Sequence, residues 1–174
     1  MSASNPRRIV NTVHLLDLAL HPYTICHKRI FMFIGEYQHN LDEKGRIAIP
    51  TKFRAALGEG AVVTRGLDHC LFLYPMTAWQ ELAAKLMRLP LSQSKSRAFA
   101  RLMLAGAMDV TPDKQGRVML PEYLRQYAAM DKKIVVAGLY DRLELWDESA
   151  WQRYKKTTEA ESDNIAEALA ELGV

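Results

Sequence analysis

Three kinds of chemistry are nearly missing from this sequence. Cysteine is scarce: there are 2 in 174 residues, Cys26 and Cys70. Neither lies in a Cys-x-x-Cys or Cys-x-x-His setting, which excludes a disulfide framework, a zinc ribbon and a dithiol redox centre, and favours a reducing compartment. No apolar run approaches the ~20 residues that a membrane-spanning helix needs. The best candidate for a targeting segment, Ile9 to Leu20, is interrupted by Asn11, His14 and Asp17 and is followed by no small-residue cleavage pattern. Glycine-rich phosphate loops, metal-ligand spacings and nucleophile elbows are also missing. With 9 Gly and 7 Pro the chain is neither collagen-like nor of low complexity.

Charge of one sign is equally short. The net charge is +3, and the whole of it sits in residues 1–31, where Arg7, Arg8, Lys28 and Arg29 face Asp17. A neutral body argues against non-specific nucleic-acid binding, whose affinity comes from neutralised phosphates. A local basic surface remains open, because residues 32–140 hold 15 basic against 10 acidic groups while 141–174 hold 4 against 9.

What the chain does contain is an internal duplication. Asp42-Glu43-Lys44-Gly45-Arg46-Ile47-Ala48-Ile49-Pro50 aligns with Asp113-Lys114-Gln115-Gly116-Arg117-Val118-Met119-Leu120-Pro121, and Phe53-Arg54 with Leu124-Arg125. After one inserted residue, Val63, Gly66, Leu67, Leu71, Leu73, Ala78 and Trp79 fall on Val135, Gly138, Leu139, Leu143, Leu145, Ala150 and Trp151. Twelve identities across 34 paired positions far exceed the about two expected of unrelated stretches. The units run over 36–79 and 108–151, joined by a helical linker over 80–107. A helical tail follows over 152–174, and an extension of 1–31 precedes them. The functional chain is expected to begin at Met32, the upstream residues being a translated leader or a loosely held tail.

Each unit spells out the same elements. Asp-x-x-Gly is turn chemistry: the carboxylate accepts a backbone N–H two residues on, and glycine supplies the positive φ. This makes Asp42, Gly45, Asp113 and Gly116 candidates for shaping the motif. Alternating apolar residues then predict a strand, Pro50 and Pro121 end it, and short helices follow over Thr51 to Leu57 and Glu122 to Ala128. Hairpins are predicted from Ala61 to Thr64 with Leu71 to Tyr74, and from Ile134 to Ala137 with Leu143 to Trp146. Thr77-Ala78-Trp79-Gln80 and Ser149-Ala150-Trp151-Gln152 fit the capping box at the start of the next helices. The stripes Trp79, Leu82, Ala83, Leu86 and Phe99, Leu102, Met103, Gly106 read as core-facing. A unit of this size cannot build a core alone, so the two copies must share one. Leftover strand edges invite pairing with another chain.

The repeated Asp-x-x-x-Arg, followed by strand, proline and short helix, resembles the MraZ family of bacterial transcriptional regulators over essentially Met32 to Glu159. That span includes the Leu-Met-Leu-Ala-Gly-Ala run at 102–107 and the Leu145-Trp146-Asp147 ending. Both motif copies are intact, and the departure is the extension before Met32. The resemblance implies an α+β fold in which duplicated AbrB-like swapped-hairpin units form a pseudo-two-fold β-barrel with flanking helices. It further implies a ring-shaped homo-oligomer that binds double-stranded DNA with direct repeats, ahead of the division and cell-wall gene cluster. The expected place is the bacterial cytoplasm, on the nucleoid, and repression follows from a ring that occupies a promoter. No cofactor, metal, membrane or small-molecule substrate is expected.

Physical chemistry supplies roles beside the resemblance. An arginine next to a glycine turn presents a rigid, always-charged fork that can bond guanine O6 and N7, and a two-stranded hairpin is slim enough for the major groove. Arg46 and Arg117 are therefore the candidate DNA-reading residues on two protruding rims. Lys44 and Lys114 are candidates for phosphate, with Lys52, Arg54 and Arg125 flanking. The plainer alternative is that each Asp and Arg pair only with each other and hold the turn. An enzyme would need other groups. His39, His69 and Cys70 have no counterparts in the second copy, and Asp42 and Asp113 are turn residues, so no catalytic residues are assigned. A protein-binding role, as an AbrB-type antitoxin or ring scaffold, is the second reading, supported by the acidic end after Asp141.

Overall fold

A period of two in the apolar residues of both repeats dictates strands with two different faces. The computed structural model describes residues 32–58 and 60–170, and the extension expected over 1–31 lies outside the described residues. The first repeat supplies β1 (Phe33–Asn40), β2 (Arg46–Ala48), α1 (Thr51–Leu57), β3 (Ala61–Arg65), β4 (Leu71–Pro75) and α2 (Met76–Leu86). After the linker helix α3 (Ser94–Leu104), the second supplies β5 (Met108–Val110), β6 (Arg117–Met119), α4 (Glu122–Tyr127), β7 (Lys133–Tyr140), β8 (Arg142–Asp147) and α5 (Glu148–Ala160). The last described helix is α6 (Ser162–Leu169).

The copies are joined by pairing across the repeat rather than within it. β2 pairs antiparallel with β6, with Ile47 opposite its own counterpart Val118. The flanking bonds are also equivalent: Ile49 N–H donates to Gly116 O and Leu120 N–H to Gly45 O, both at 2.9 Å. β4 pairs with β8 in the same way, Phe72 facing its counterpart Glu144. A local two-fold relation therefore passes through both strand pairs. The first strand of each repeat joins the hairpin of the other, β1 on β7 and β5 on β3.

The resulting α+β architecture is a six-stranded antiparallel sheet of order β1-β7-β8-β4-β3-β5 and a separate two-stranded sheet of β2 and β6. The hydrogen bonding of the described strands thus falls into these two sheets. Among the described residues the larger sheet ends on β1 and β5, which do not pair with each other.

Alternation sorts the side chains into two cores. Leu71, Leu73, Leu143 and Leu145 point to one face, where Ile47, Ile49, Phe53, Val118, Leu120 and Leu124 close over them. Each of these large apolar side chains stabilises the fold by about 1.5–3 kcal/mol when fully buried. Cys70, Phe72, Tyr74, Val135 and Trp146 point to the other face and meet Leu86, Met103, Trp79 and Trp151 from the helices. Buried Thr64 donates its hydroxyl to Met103 O at 2.6 Å and so ties the end of α3 to β3.

Two local expectations need correction. Neither Thr77 nor Ser149 caps a helix: α2 follows Pro75 with no side-chain cap, and α5 is capped by Asp147, whose carboxylate accepts from Ser149 N–H and Ala150 N–H. The strand-ending residue brings the chain into the helix two residues earlier than the capping box assumed. The linker stripe is only partly core, since Met103 is buried and Phe99 is exposed. Within the described residues, which end at 170, the tail is helical over α5 and α6, and no residue of either helix is buried.

Two glycines at equivalent positions are required for different reasons. At Gly66 a Cβ would meet the side chains of Cys70 and Phe72, whereas at Gly138 it would lie 2.5 Å from the main chain of Phe33 and Ile34. A side chain can turn aside, but a paired backbone cannot. Gly138→Ala should push β1 off β7 and cost about 1–3 kcal/mol in urea unfolding, and an unchanged midpoint would contradict the tight β1 packing.

Candidate nucleic-acid interface

Each Asp-x-x-Gly turn is built by one carboxylate doing two jobs. Asp42 Oδ1 accepts the N–H groups of Lys44 at 3.0 Å and Arg46 at 2.9 Å, and Asp113 Oδ1 accepts those of Gln115 and Arg117, both at 2.9 Å. Gly45 and Gly116 both stand at φ 75°, where only glycine sits without strain. The second oxygen holds the arginine. Arg46 Nε and Nη2 lie 2.8 and 2.7 Å from Asp42 Oδ2, and Arg117 repeats both distances on Asp113 Oδ2.

Because β2 and β6 run side by side, the two turns converge on a single rim instead of forming two. Arg46 Nη1 lies 3.7 Å from Asp113 Oδ2 and Arg117 Nη1 lies 3.8 Å from Asp42 Oδ2. Those cross distances are beyond hydrogen bonding and act as charge attraction alone. The four groups form a quartet of zero net charge. The guanidinium side chains are 25% and 28% exposed, so they are held but not sealed off. With Nε and Nη2 turned to the carboxylate, the end-on edge, Nη1 with the outer N–H of Nη2, is the part left uncommitted to its own aspartate.

The flanking arginines act across the repeat. Arg54 Nε donates to Ile49 O at 2.8 Å and Arg125 Nε to Leu120 O at 3.0 Å. Their guanidinium groups then pack against the glycine of the opposite turn, so a Cβ at Gly116 would strike Arg54 and one at Gly45 would strike Arg125. Each short helix thereby fixes the turn of the other copy. The sequence shows Arg54 and Arg125 as a matched pair but not this exchange. Lys52 is engaged elsewhere: its ammonium donates to Ile34 O at 2.7 Å and sits over the rings of Tyr37 and Phe53. Its counterpart Tyr123 donates to Gly106 O, ahead of β5.

Lys44 and Lys114 are exposed on the rim. Lys132, which sequence reasoning passed over, joins them: Lys132 O accepts Leu41 N–H at 2.8 Å, which places it beside the first turn. Its only sequence signal is position in a basic pair before β7. His39, His69 and Cys70 make no common site. Burial pushes the Cys70 thiol far above its ordinary range, and its Sγ donates to Leu67 O. His69 packs on Tyr127, and His39, its basicity lowered by burial and by Arg54, lies on β1. Among the described residues no group of three acidic, His or Cys side chains could hold a metal, and no helix is long and apolar enough to cross a membrane.

A family model described as "MraZ protein, putative antitoxin-like" matches residues 32–102 and again 103–172, one match per repeat. The chain belongs to the MraZ family. Relatives named Transcriptional regulator MraZ include that of Natranaerobius thermophilus, 46% identical over 143 residues, and that of Halothermothrix orenii, 48% identical over 143 residues. In both cases the alignment covers 82% of this chain and all of the relative. The Acetivibrio thermocellus protein is similar at 47% over the same length. The MraZ match thus spans both Asp-x-x-x-Arg turns and the helices between and after them.

In this MraZ chain the quartet also makes a pH signature. Hydrogen bonding from Arg117, through both guanidinium and backbone N–H, pulls the Asp113 carboxyl down to about 2, and Arg46 lowers Asp42 in the same direction. A carboxyl depressed in the folded state gives stability that is complete above its unfolded value near 4 and is lost as pH falls through the folded value. Unfolding free energy should therefore drop between about pH 4 and pH 2, less steeply in Asp113→Asn than in the parent chain. An identical slope in the two proteins would contradict the pairing.

Proposed function

We propose that this chain is a sequence-specific DNA-binding transcriptional regulator that reads its operator through the Asp–Arg rim. The observation that carries this reading is the geometry of the quartet. Each aspartate hydrogen-bonds Nε and Nη2 of its own arginine, and Nη1 makes only a long charge contact of 3.7 or 3.8 Å with the aspartate of the other copy, so the carboxylates orient the guanidinium without occupying Nη1 in a hydrogen bond. A fork fixed in this way loses little conformational freedom when it bonds guanine O6 and N7. Both readings of the motif are thereby combined: Asp42, Gly45, Asp113 and Gly116 shape the turns, and Arg46 and Arg117 read bases. The name carried by the relatives supports the same conclusion.

The quartet is neutral, so phosphate attraction has to come from Lys44 and Lys114, while Arg54 and Arg125 serve mainly by fixing the turns. Lys52, committed to Ile34 O, is left with a minor flanking role. One rim binds weakly alone. A ring-shaped homo-oligomer presenting several rims to direct repeats raises avidity without new contacts. The AbrB-like swapped-hairpin kinship of the units belongs to this reading, as does repression by occupancy of a promoter upstream of the division and cell-wall cluster, on the nucleoid in the cytoplasm. The acidic end after Asp141, which includes α6, favours a protein partner as the second role.

Alanine at Arg46 or Arg117 should weaken binding to the repeated boxes upstream of its own gene by about 1–3 kcal/mol per lost bidentate contact, read by gel shift at fixed salt, with the oligomer intact by light scattering. Lysine should not rescue, because an ammonium has no fork. Parental affinity in both alanine variants would refute the assignment.

A further inference from the structure

The two-fold relation that is so close at the quartet breaks down one step outside it. Glu43 and Lys44 of the first turn correspond to Lys114 and Gln115 of the second, and Lys132 corresponds to Gly60. The first turn thus has two lysines beside it and the second has one. Lys132 and Lys44 border one hollow of about 390 Å³, together with Arg46, Asp42, Glu43 and Leu41. Lys132 also borders an adjoining hollow of about 310 Å³ that shares Leu41, Asp42 and Glu43 and adds Arg125 and Asp131.

Charge in the first hollow favours an anion. Arg46 already neutralises Asp42, which leaves two ammonium groups against Glu43. Neither ammonium has a hydrogen-bond or ion-pair partner among the described residues, and both lysines are exposed. The main chain of Lys132 is nonetheless fixed by Leu41 N–H. A cation on an anchored main chain, with no existing pair to break, suits a phosphate diester next to the base-reading fork.

We infer that Lys132 is a DNA-backbone contact which, with Lys44, grips phosphates on one flank only and so gives each chain a direction on its box. The inference rests on the DNA reading above. A fully two-fold protein site matches a palindrome, whereas unlike flanks match a box with a head and a tail, as direct repeats require.

The test uses the full chain and two labelled duplexes, the upstream repeated boxes and a scrambled sequence, titrated over about 50–200 mM salt. Lys132→Ala should bind both duplexes several-fold more weakly, with a salt slope smaller by about 0.9 per chain contacting DNA, and Lys132→Arg should restore both. Replacing phosphates by neutral methylphosphonates on one flank of each box should erase the difference between Lys132→Ala and the parent, while the same replacement on the other flank should preserve it. Parental affinity and slope in Lys132→Ala overturn the contact, and equal effects from both flanks overturn the direction. Arg46→Ala in the same series separates the two levels. If it loses the preference for boxes while Lys132→Ala behaves as the parent, only the Lys132 assignment fails. If both variants match the parent on both duplexes, the DNA reading fails with it.

Discussion

Two carboxylates and two guanidinium groups, gathered where β2 lies against β6, are the interaction on which the rest of this molecule depends. Each aspartate closes its own turn through one oxygen and holds its own arginine through the other, and each lies within 4 Å of the arginine of the other copy. Remove the pairing of Ile47 with Val118 and the groups separate into two isolated turns. Pairing across the repeat therefore creates both the shared core and the shared rim. Arg54 and Arg125 reinforce it from outside, each anchored on a carbonyl of its own copy and packed on the glycine of the other.

Local chemistry was readable from the residue order, and long-range pairing was not. The Asx-type turns at Asp42 and Asp113 involve atoms within four residues, so the motif predicts their hydrogen bonds directly. The helix Thr51–Leu57 follows from Pro50 and apolar spacing, and the strands follow from alternation. Duplication also implies that the copies share a core, but not which strands exchange. The exchange of β1 and β5 between hairpins, the order of the larger sheet and the convergence of two rims into one all depend on contacts between 45 and 107 residues apart in sequence. Lys132 was missed for the same reason: only the bond from Leu41 brings it to Asp42. The capping boxes failed because a strand-ending Pro75 and Asp147 lead straight into the helices and pre-empt Thr77 and Ser149.

Function in this account divides between orientation and attraction. The quartet is electrically balanced, so in the proposed DNA reading it would contribute shape and hydrogen-bonding direction, while the unpaired lysines around it would supply the pull on phosphate. That division reconciles a body of zero net charge with binding to a polyanion. It also explains why a turn motif that looks structural in isolation can still present a reading edge: the aspartate uses the inner side of the guanidinium and leaves the outer side.

The claim that Arg46 and Arg117 work as one site is tested most directly by a double-mutant cycle on operator affinity. If the two forks share one rim, Arg46→Ala and Arg117→Ala should be non-additive, with a coupling energy of about 0.5–3 kcal/mol between them. Strict additivity, each loss independent of the other, would mean that the two turns act separately and would contradict the central claim.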